Sequence, residues 1–314
     1  MTTIHTIPKA ELHVHLEGAV RPALIREIAQ KRGVDLPHAI MCADTDTVKW
    51  SDFSEFHVIY DAIASVLKTD EDFYTIALDY FEGLAKTNTQ YSEVIISPYV
   101  AKANGVAYEV MQSGLVAAAD EAKRRWGLTA RYLLSIHRHE GPAKADHIVR
   151  EAMKVCHEYV VGANIAGDTI QHRLSVFKTL CRDIKSQGLG LSVHAGESTP
   201  ASEMIEALDV LKADRIGHGV RCVEDEAVLA RVVDEQVMLE VCPSSNIVLD
   251  FYKDYEHHPL HLLKKRGANV SLNSDDPTFF GAWLEDEYQV AMDHFGYTAL
   301  ELEELTRRTM AARF

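Results

Sequence analysis

Glu11-Leu12-His13-Val14-His15-Leu16-Glu17-Gly18 ends the first of eight short apolar runs. The runs lie near residues 10–15, 90–96, 130–136, 159–165, 189–194, 213–217, 237–241 and 268–273, and segments of helical period separate most of them. Strands alternating with helices predict a parallel sheet. Eight of them predict a (β/α)8 TIM barrel, here a single domain over residues 1–314. The helical period is explicit at Val110, Leu115, Ala118 and Ala122, on a helix expected to end near Gly127, and at Val228, Leu229, Val232 and Val233. Pro22 to Thr89 contains no convincing strand, which predicts a helical insertion after the first strand, able to cover a site.

Four runs end in polar residues of catalytic type: His13-Val14-His15-Leu16-Glu17, His194-Ala195-Gly196-Glu197, Gly217-His218-Gly219 and Ser274-Asp275-Asp276-Pro277. In a parallel barrel all strand C-termini open on one face, and that face carries the active site. His13 and His15 are two apart, so strand alternation points both imidazoles the same way. A third histidine and a carboxylate complete an N/O donor set that suits zinc, and His194 and Asp275 are the candidates. Each piece alone has a plain alternative. A His-x-His pair is more often incidental than metal-binding, Asp275-Asp276-Pro277 is a good turn, and Gly196 and Gly219 punctuate loops. Their conjunction at four strand ends is what argues for a site. His137 and His139 are placed to edge it. His257, His258 and His261, beside Pro259, read as surface or cap residues. His5, His38, His147, His157, His172 and His294 show no partner in the sequence. Phe53-Ser54-Glu55-Phe56, just before His57, reads as insertion core and as a lid over an apolar ligand.

Bulk properties narrow the partners. A net charge of −15 disfavours nucleic acid and anionic membrane surfaces and is compatible with a neutral small molecule. Cys42, Cys156, Cys181, Cys222 and Cys242 form no Cys-x-x-Cys pair and are odd in number, which points to a reducing cytoplasm. No apolar run approaches a membrane span, and the first residues show no signal-peptide pattern. Nothing in the sequence sets an oligomeric state.

The sequence resembles the adenosine deaminase family of the amidohydrolase superfamily. The matching motifs are Glu11 to Gly18, Ala166-Gly167-Asp168, His194-Ala195-Gly196-Glu197, Gly217-His218-Gly219, Cys242-Pro243-Ser244-Ser245-Asn246 and Ser274-Asp275-Asp276-Pro277, in the family's order over nearly the whole chain. The resemblance implies one zinc per chain, held by His13, His15, His194 and Asp275. It implies that Glu197 handles the proton at purine N1 and that His218 is base or electrostatic partner for the attacking water. Asp276 would then meet N7, and the backbone N–H of Gly167 would meet N3. Glu17 would bind substrate. The implied reaction is hydrolytic deamination of a 6-aminopurine, with adenosine (and 2′-deoxyadenosine) the leading substrate, and adenine or a modified adenosine the alternative.

Two features bear on that choice. Adenosine-specific members often carry Asp, which reaches the ribose, where Glu17 stands here; Ala166-Gly167-Asp168 leans the other way. Asn164, Ala166 and Gly167 occupy the end of the fourth strand, where binuclear relatives place a lysine, which favours one metal. Asp275 and Asp276, if extended, point to opposite sides, one to metal and one to substrate. Cleavage of a cyclic amide and non-catalytic purine binding are the competing readings; Glu197 and the intact ligand set weigh against both. Cys242 reads as a small buried residue near the pocket. Glu240 reads as support for a ligand or as a partner for the base.

Overall fold

Strands buried on both faces read as continuous apolar runs rather than alternating ones, and all eight runs are strands. The computed structural model describes residues 4–43, 46–167 and 172–314, the side chains of Phe53 and Ser54 excepted. The strands are β1 (Lys9–His15), β2 (Thr89–Ile96), β3 (Thr129–His137), β4 (Val160–Ala166), β5 (Gly190–Ala195), β6 (Arg215–His218), β7 (Met238–Val241) and β8 (Val270–Leu272). They form one sheet in the order β1 to β8, each pair parallel. Helices run between them, as in a (β/α)8 barrel.

Closure comes just past β8. Val14 bridges Asp275 in parallel. There the His15 N–H donates to the Asp275 carbonyl at 2.8 Å and the Asp275 N–H to the His13 carbonyl at 3.2 Å.

The insertion after β1 is helical, as expected: Pro22–Arg32, His38–Met41, Phe53–Ser65 and Asp70–Lys86. The last of these is the ordinary barrel helix between β1 and β2. Thr69 and Asp72 cap it reciprocally, and Phe73, Ile76, Ala77, Tyr80, Phe81 and Leu84 form its buried face. Phe56 packs on Phe279 with ring centroids 4.4 Å apart and on Trp50 at 5.5 Å. It is therefore insertion core beside β8. The Phe53 side chain, part of the same expectation, lies outside the described residues.

Helix Tyr108–Trp126 ends at a left-handed Gly127. Its buried face runs through Met111, Leu115, Ala118 and Ala122, and Val110 is exposed. One residue is about 100° of helix rotation, which carries Val110 off the stripe. Helix Glu226–Asp234 buries Val228, Leu229 and Val232, with Val233 partly covered. Among the described residues no helix is long and apolar enough to cross a membrane, and all five cysteines are free thiols.

Below the site the barrel interior is polar. Arg215, 1% exposed, donates from Nε to Glu240 at 2.6 Å, from Nη2 to Glu93 at 2.5 Å and from Nη1 to the Ala312 carbonyl at 2.8 Å. The Phe314 ring lies 3.5 Å from its guanidinium. The Phe314 N–H donates to Glu93 at 2.8 Å, so residues 312–314 plug this end of the barrel.

Helix Leu284–Phe295 carries a fully buried acid, Glu287, whose Oε1 accepts the Ser244 N–H at 3.1 Å. Burial pushes this carboxyl up to about 8. A group protonated in the fold but ionised in the unfolded chain makes the fold bind more protons. Stability from Glu287 is then full below about 4.5 and lost as pH rises through about 8. Glu287→Gln keeps the acceptor and cannot ionise. Its melting temperature is expected to exceed the parent's by on the order of a few degrees at pH 8, with the gap shrinking toward pH 5 in calorimetry.

Candidate active site

The four strand ends converge. One ligand atom from each of His13, His15, His194 and Asp275 lies within 4.8 Å of the others. His13 Nε2 is 3.5 Å and His15 Nε2 is 3.4 Å from Asp275 Oδ1. A tetrahedral ion with bonds of about 2.1 Å holds its ligand atoms about 3.4 Å apart. Among the described residues His13 Nε2 and His194 Nδ1 are buried without a hydrogen-bond partner. Burial pushes His15 down to about 4 and His194 well below the usual histidine range. Buried imidazoles with orphaned nitrogens beside a carboxylate fit a borderline cation such as zinc; burial lowers His13, but Asp275 and Glu240 outweigh it and raise the ring to about 10, so it would give up a proton to the metal.

Neighbouring groups aim these ligands. The His13 Nδ1–H donates to Glu240 Oε2 at 2.9 Å, which leaves Nε2 as the atom that faces the cluster. Burial raises the Glu240 carboxyl, but Arg215 and His13 outweigh it and hold the group down to about 2. Ser192 also donates to it, at 2.8 Å. Ser245 Oγ–H donates to Asp275 Oδ2 at 2.7 Å, leaving Oδ1 for the histidines. Glu11 Oε1 accepts from the Ser274 N–H at 2.8 Å and hydroxyl at 2.6 Å, and Tyr80 donates to its other oxygen. Glu240 is thus support for His13.

Cys242 joins a second grouping with His13, His218 and Asp275. It is fully buried, and its thiol donates to the Glu240 carbonyl at 3.6 Å. Burial, then Asp275, pushes the thiol well above its ordinary range, so it stays protonated and is a poor ligand.

The other expected residues surround the cluster. Glu197, its side chain 15% exposed, sits with Oε1 3.4 Å from His218 Nδ1. Burial, then the Asp275 charge, pushes its carboxyl up to about 8. Burial holds His218 down to about 3, so it is a neutral imidazole. Burial and Asp275 push Asp276 well above the carboxylate range. A Cβ on Gly18 would fall 1.8 Å from Asp276 Oδ1, so only glycine lets that carboxyl sit there. Glu17 is 3% exposed, accepts from the Tyr60 hydroxyl at 3.2 Å, and is pushed by burial up to about 7. Gly167 has φ of 93°, and a Cβ there would fall 2.5 Å from His139 Nδ1. Asp168, the end of that motif, lies outside the described residues.

Three expectations change. The Asp275-Asp276 segment is not extended, because Asp275 takes a left-handed φ of 61° to make the closing bonds. His258 is fully buried rather than a surface residue, whereas His257 and His261 are exposed. His5 meets Glu285 at 2.8 Å and His294 stacks on Tyr255, contacts that the sequence did not signal. His137 does edge the cluster: it meets Ser97 Oγ at 2.8 Å, and the nearby His15 contributes to its low pKa. Tyr60, Ser192 and Arg215 are contributors the sequence reading missed. Tyr60 sits in an apolar helix with no motif around it, and Arg215 opens a strand as one more charge.

Sequence comparison agrees with this geometry. The family model described as adenosine deaminase matches residues 8–314. The chain belongs to the adenosine deaminase family. Among members of known name, it is 40% identical to the adenine deaminase of Agrobacterium fabrum, over 98% of this chain and 93% of that one. The crystal structure of an adenine deaminase from Arthrobacter aurescens superposes with a TM-score of 0.90 at 31% identity, covering 98% and 94% of the two chains. An amidohydrolase from Burkholderia ambifaria with bound zinc gives 0.89 at 27%, covering 99% and 86%.

In this family member, Glu240→Gln removes the charge that orients His13. Metal binding, measured by chelator competition, is expected to weaken by about 10- to 100-fold with the fold retained by circular dichroism. Unchanged metal affinity would show that Glu240 does not serve the ligand.

Proposed function

We propose that the protein is a mononuclear zinc aminohydrolase that replaces the 6-amino group of a purine with oxygen, and that its substrate is free adenine. The reaction reading is carried by Glu197, an acid protonated near neutrality beside the neutral imidazoles of His15, His194 and His218 and the Asp275 carboxylate. His13, His15, His194 and Asp275 would hold the metal, which when bound polarises water and lowers its pKa to about 7.

The chain's own residues do the rest. Water adding at C6 pushes electrons onto N1, and Glu197 relieves this by giving N1 its proton. His218, neutral and within reach of Glu197, takes or steers the proton of the attacking water. Asp276, as a neutral acid, donates to N7, and the Gly167 N–H donates to N3. The water oxygen stays on C6, the amino group departs as ammonia with the proton His218 received, the C6 hydroxyl proton returns to Glu197, and the product is the 6-oxopurine. Burial of Asp276 and His218 makes these fixed dipoles effective.

Adenosine was the leading expectation from the sequence; the findings favour its alternative. Relatives named adenine deaminase match across almost the whole chain, and Glu17 is held by Tyr60 rather than left open to solvent. A reducing cytoplasm suits the five free thiols.

Initial rates on adenine, adenosine and 2′-deoxyadenosine test the substrate. Adenine is expected to lead in kcat/KM by about 100-fold or more, since an unmatched ribose must displace a buried polar pair; a lead for adenosine would restore the first expectation. Glu197→Gln is expected to lose about 10²- to 10⁴-fold in kcat while keeping one equivalent of zinc by metal analysis. Near-normal turnover would end the acid assignment, and a requirement for two metals would end the mononuclear one.

A further inference from the structure

His258 precedes Pro259 and the helix Leu260–Arg266, far in sequence from every strand-end motif but Cys242-Pro243-Ser244-Ser245-Asn246. It is fully buried between Tyr252 and Phe295, with ring centroids at 5.1 and 5.5 Å. The Leu260 backbone N–H points at its Nδ1 from 3.2 Å. A backbone N–H can only donate, so Nδ1 carries a lone pair and the ring proton lies on Nε2. Burial, with His261 and His218 adding to it, holds the ring down to about 3, so it has only that one proton.

The tautomer sets everything downstream. His258 Nε2 lies 3.1 Å from Asn246 Oδ1, so Nε2–H donates and the amide oxygen accepts. That fixes the amide orientation, which otherwise has two settings. Asn246, also fully buried, then presents Nδ2 toward Glu197 Oε1 at 3.4 Å. An amide nitrogen can only donate, so Glu197 Oε1 must accept. A protonated carboxyl has one carbonyl oxygen and one hydroxyl. The hydroxyl oxygen of a carboxylic acid is the poorer acceptor, so the Asn246 donor favours Oε1 as the carbonyl, and the proton then belongs on Oε2.

We propose that His258 and Asn246 are positioning residues that fix the polarity of the Glu197 carboxyl, holding Oε1 as acceptor so that the acidic proton stands on Oε2, toward the substrate. Neither touches substrate. They act by excluding the rotamer in which the hydroxyl turns back into the protein and the acid has nothing to give. The proposal rests on Glu197 being the general acid.

The test uses the zinc-loaded full chain and the variants His258→Leu, His258→Gln and Asn246→Asp, each alone and with Glu197→Gln. His258→Leu frees the amide to flip. Asn246→Asp replaces the donor with an acceptor. Both are expected to lower kcat on adenine by about 10- to 100-fold, with KM within about twofold and zinc content unchanged. His258→Gln places an amide N–H where Nε2–H stands and is expected to recover most of the loss. It also keeps the question answerable if the leucine variant fails to fold. In the Glu197→Gln background none of the three should cost anything further. The infrared carboxyl stretch assigned by subtracting Glu197→Gln from the parent supplies a readout independent of turnover. It should move to higher wavenumber in His258→Leu, because the carbonyl oxygen loses its donor. If Glu197→Gln itself is nearly as active as the parent, the acid assignment fails. If Glu197→Gln is inactive but His258→Leu and Asn246→Asp match the parent in kcat and carboxyl stretch, the positioning proposal alone is overturned. Equal losses in His258→Gln and His258→Leu would also overturn it, as they would mark a packing role.

Discussion

The barrel is closed by two backbone hydrogen bonds, His15 N–H to the Asp275 carbonyl and Asp275 N–H to the His13 carbonyl. The same three residues supply three of the four candidate ligands. Closure and site assembly are therefore one event. Once β1 and the turn after β8 are in register, the side-chain origins of His13, His15 and Asp275 have no freedom left. The cost is a left-handed Asp275, a conformation worth on the order of 1–3 kcal/mol for a residue with a Cβ. Glu11 offsets it by accepting twice from Ser274, and Ser245 by donating to the Asp275 side chain. His218 pays in the same coin on β6, with φ of 59° followed by Gly219 at 68°. Of the six non-glycine residues with left-handed φ among the described residues, these two lie at strand ends of the candidate site.

A second constraint runs along the axis. Glu93, Arg215 and Glu240 are charged groups with almost no exposure, and removing such charges from water costs several kcal/mol each unless they are paired. They are paired, and the chain of contacts has a direction. Residues 312–314 and Glu93 engage Arg215; Arg215 engages Glu240; Glu240 takes the His13 Nδ1–H. A leucine core would fill the same volume with no desolvation cost. It could not set the tautomer of a ligand histidine. The polar interior is thus best understood as support for His13 rather than as a source of stability.

The sequence made the barrel legible because its strands are buried on both faces and its helices on one, and both patterns are local. Every run became a strand. The cluster was legible for a related reason: the strand ends lie on one face by topology, so residue type plus position sufficed for His13, His15, His194, Glu197, His218 and Asp275. What failed depended on partners far away in sequence. The opposed aim of Asp275 and Asp276 was read for the case of an extended segment, but closure 261 to 263 residues distant bends the chain there, where Leu12 meets Asn273 and Ser274 meets Glu11. Val110 was placed on a buried stripe by periodicity alone, one step from the true one. His258 carries no strand-end signature, and its neighbour Pro259 suggested a surface or cap residue; it does accept from the first N–H of the helix, but from a buried position. Its meaning lies in Asn246, 12 residues back, and in Glu197, another 49 away.

The acids around the candidate metal cluster divide into two kinds. Glu17, Glu197 and Asp275 all act on Asp276, and burial pushes three of these four acids up, to about 7 for Glu17 and about 8 for Glu197. Only Asp275 goes the other way. Burial opposes its ionisation, but His13 and its neighbours outweigh burial. One ionised carboxylate among neutral acids is the arrangement in which a metal takes the anion and the substrate takes the protons. The division follows from geometry: Asp275 faces the imidazoles, whereas Glu197 and Asp276 face the Asp275 charge, which raises both. The same anion that would hold the metal keeps its neighbours protonated, which is what the proposed reaction asks of Glu197 and Asp276.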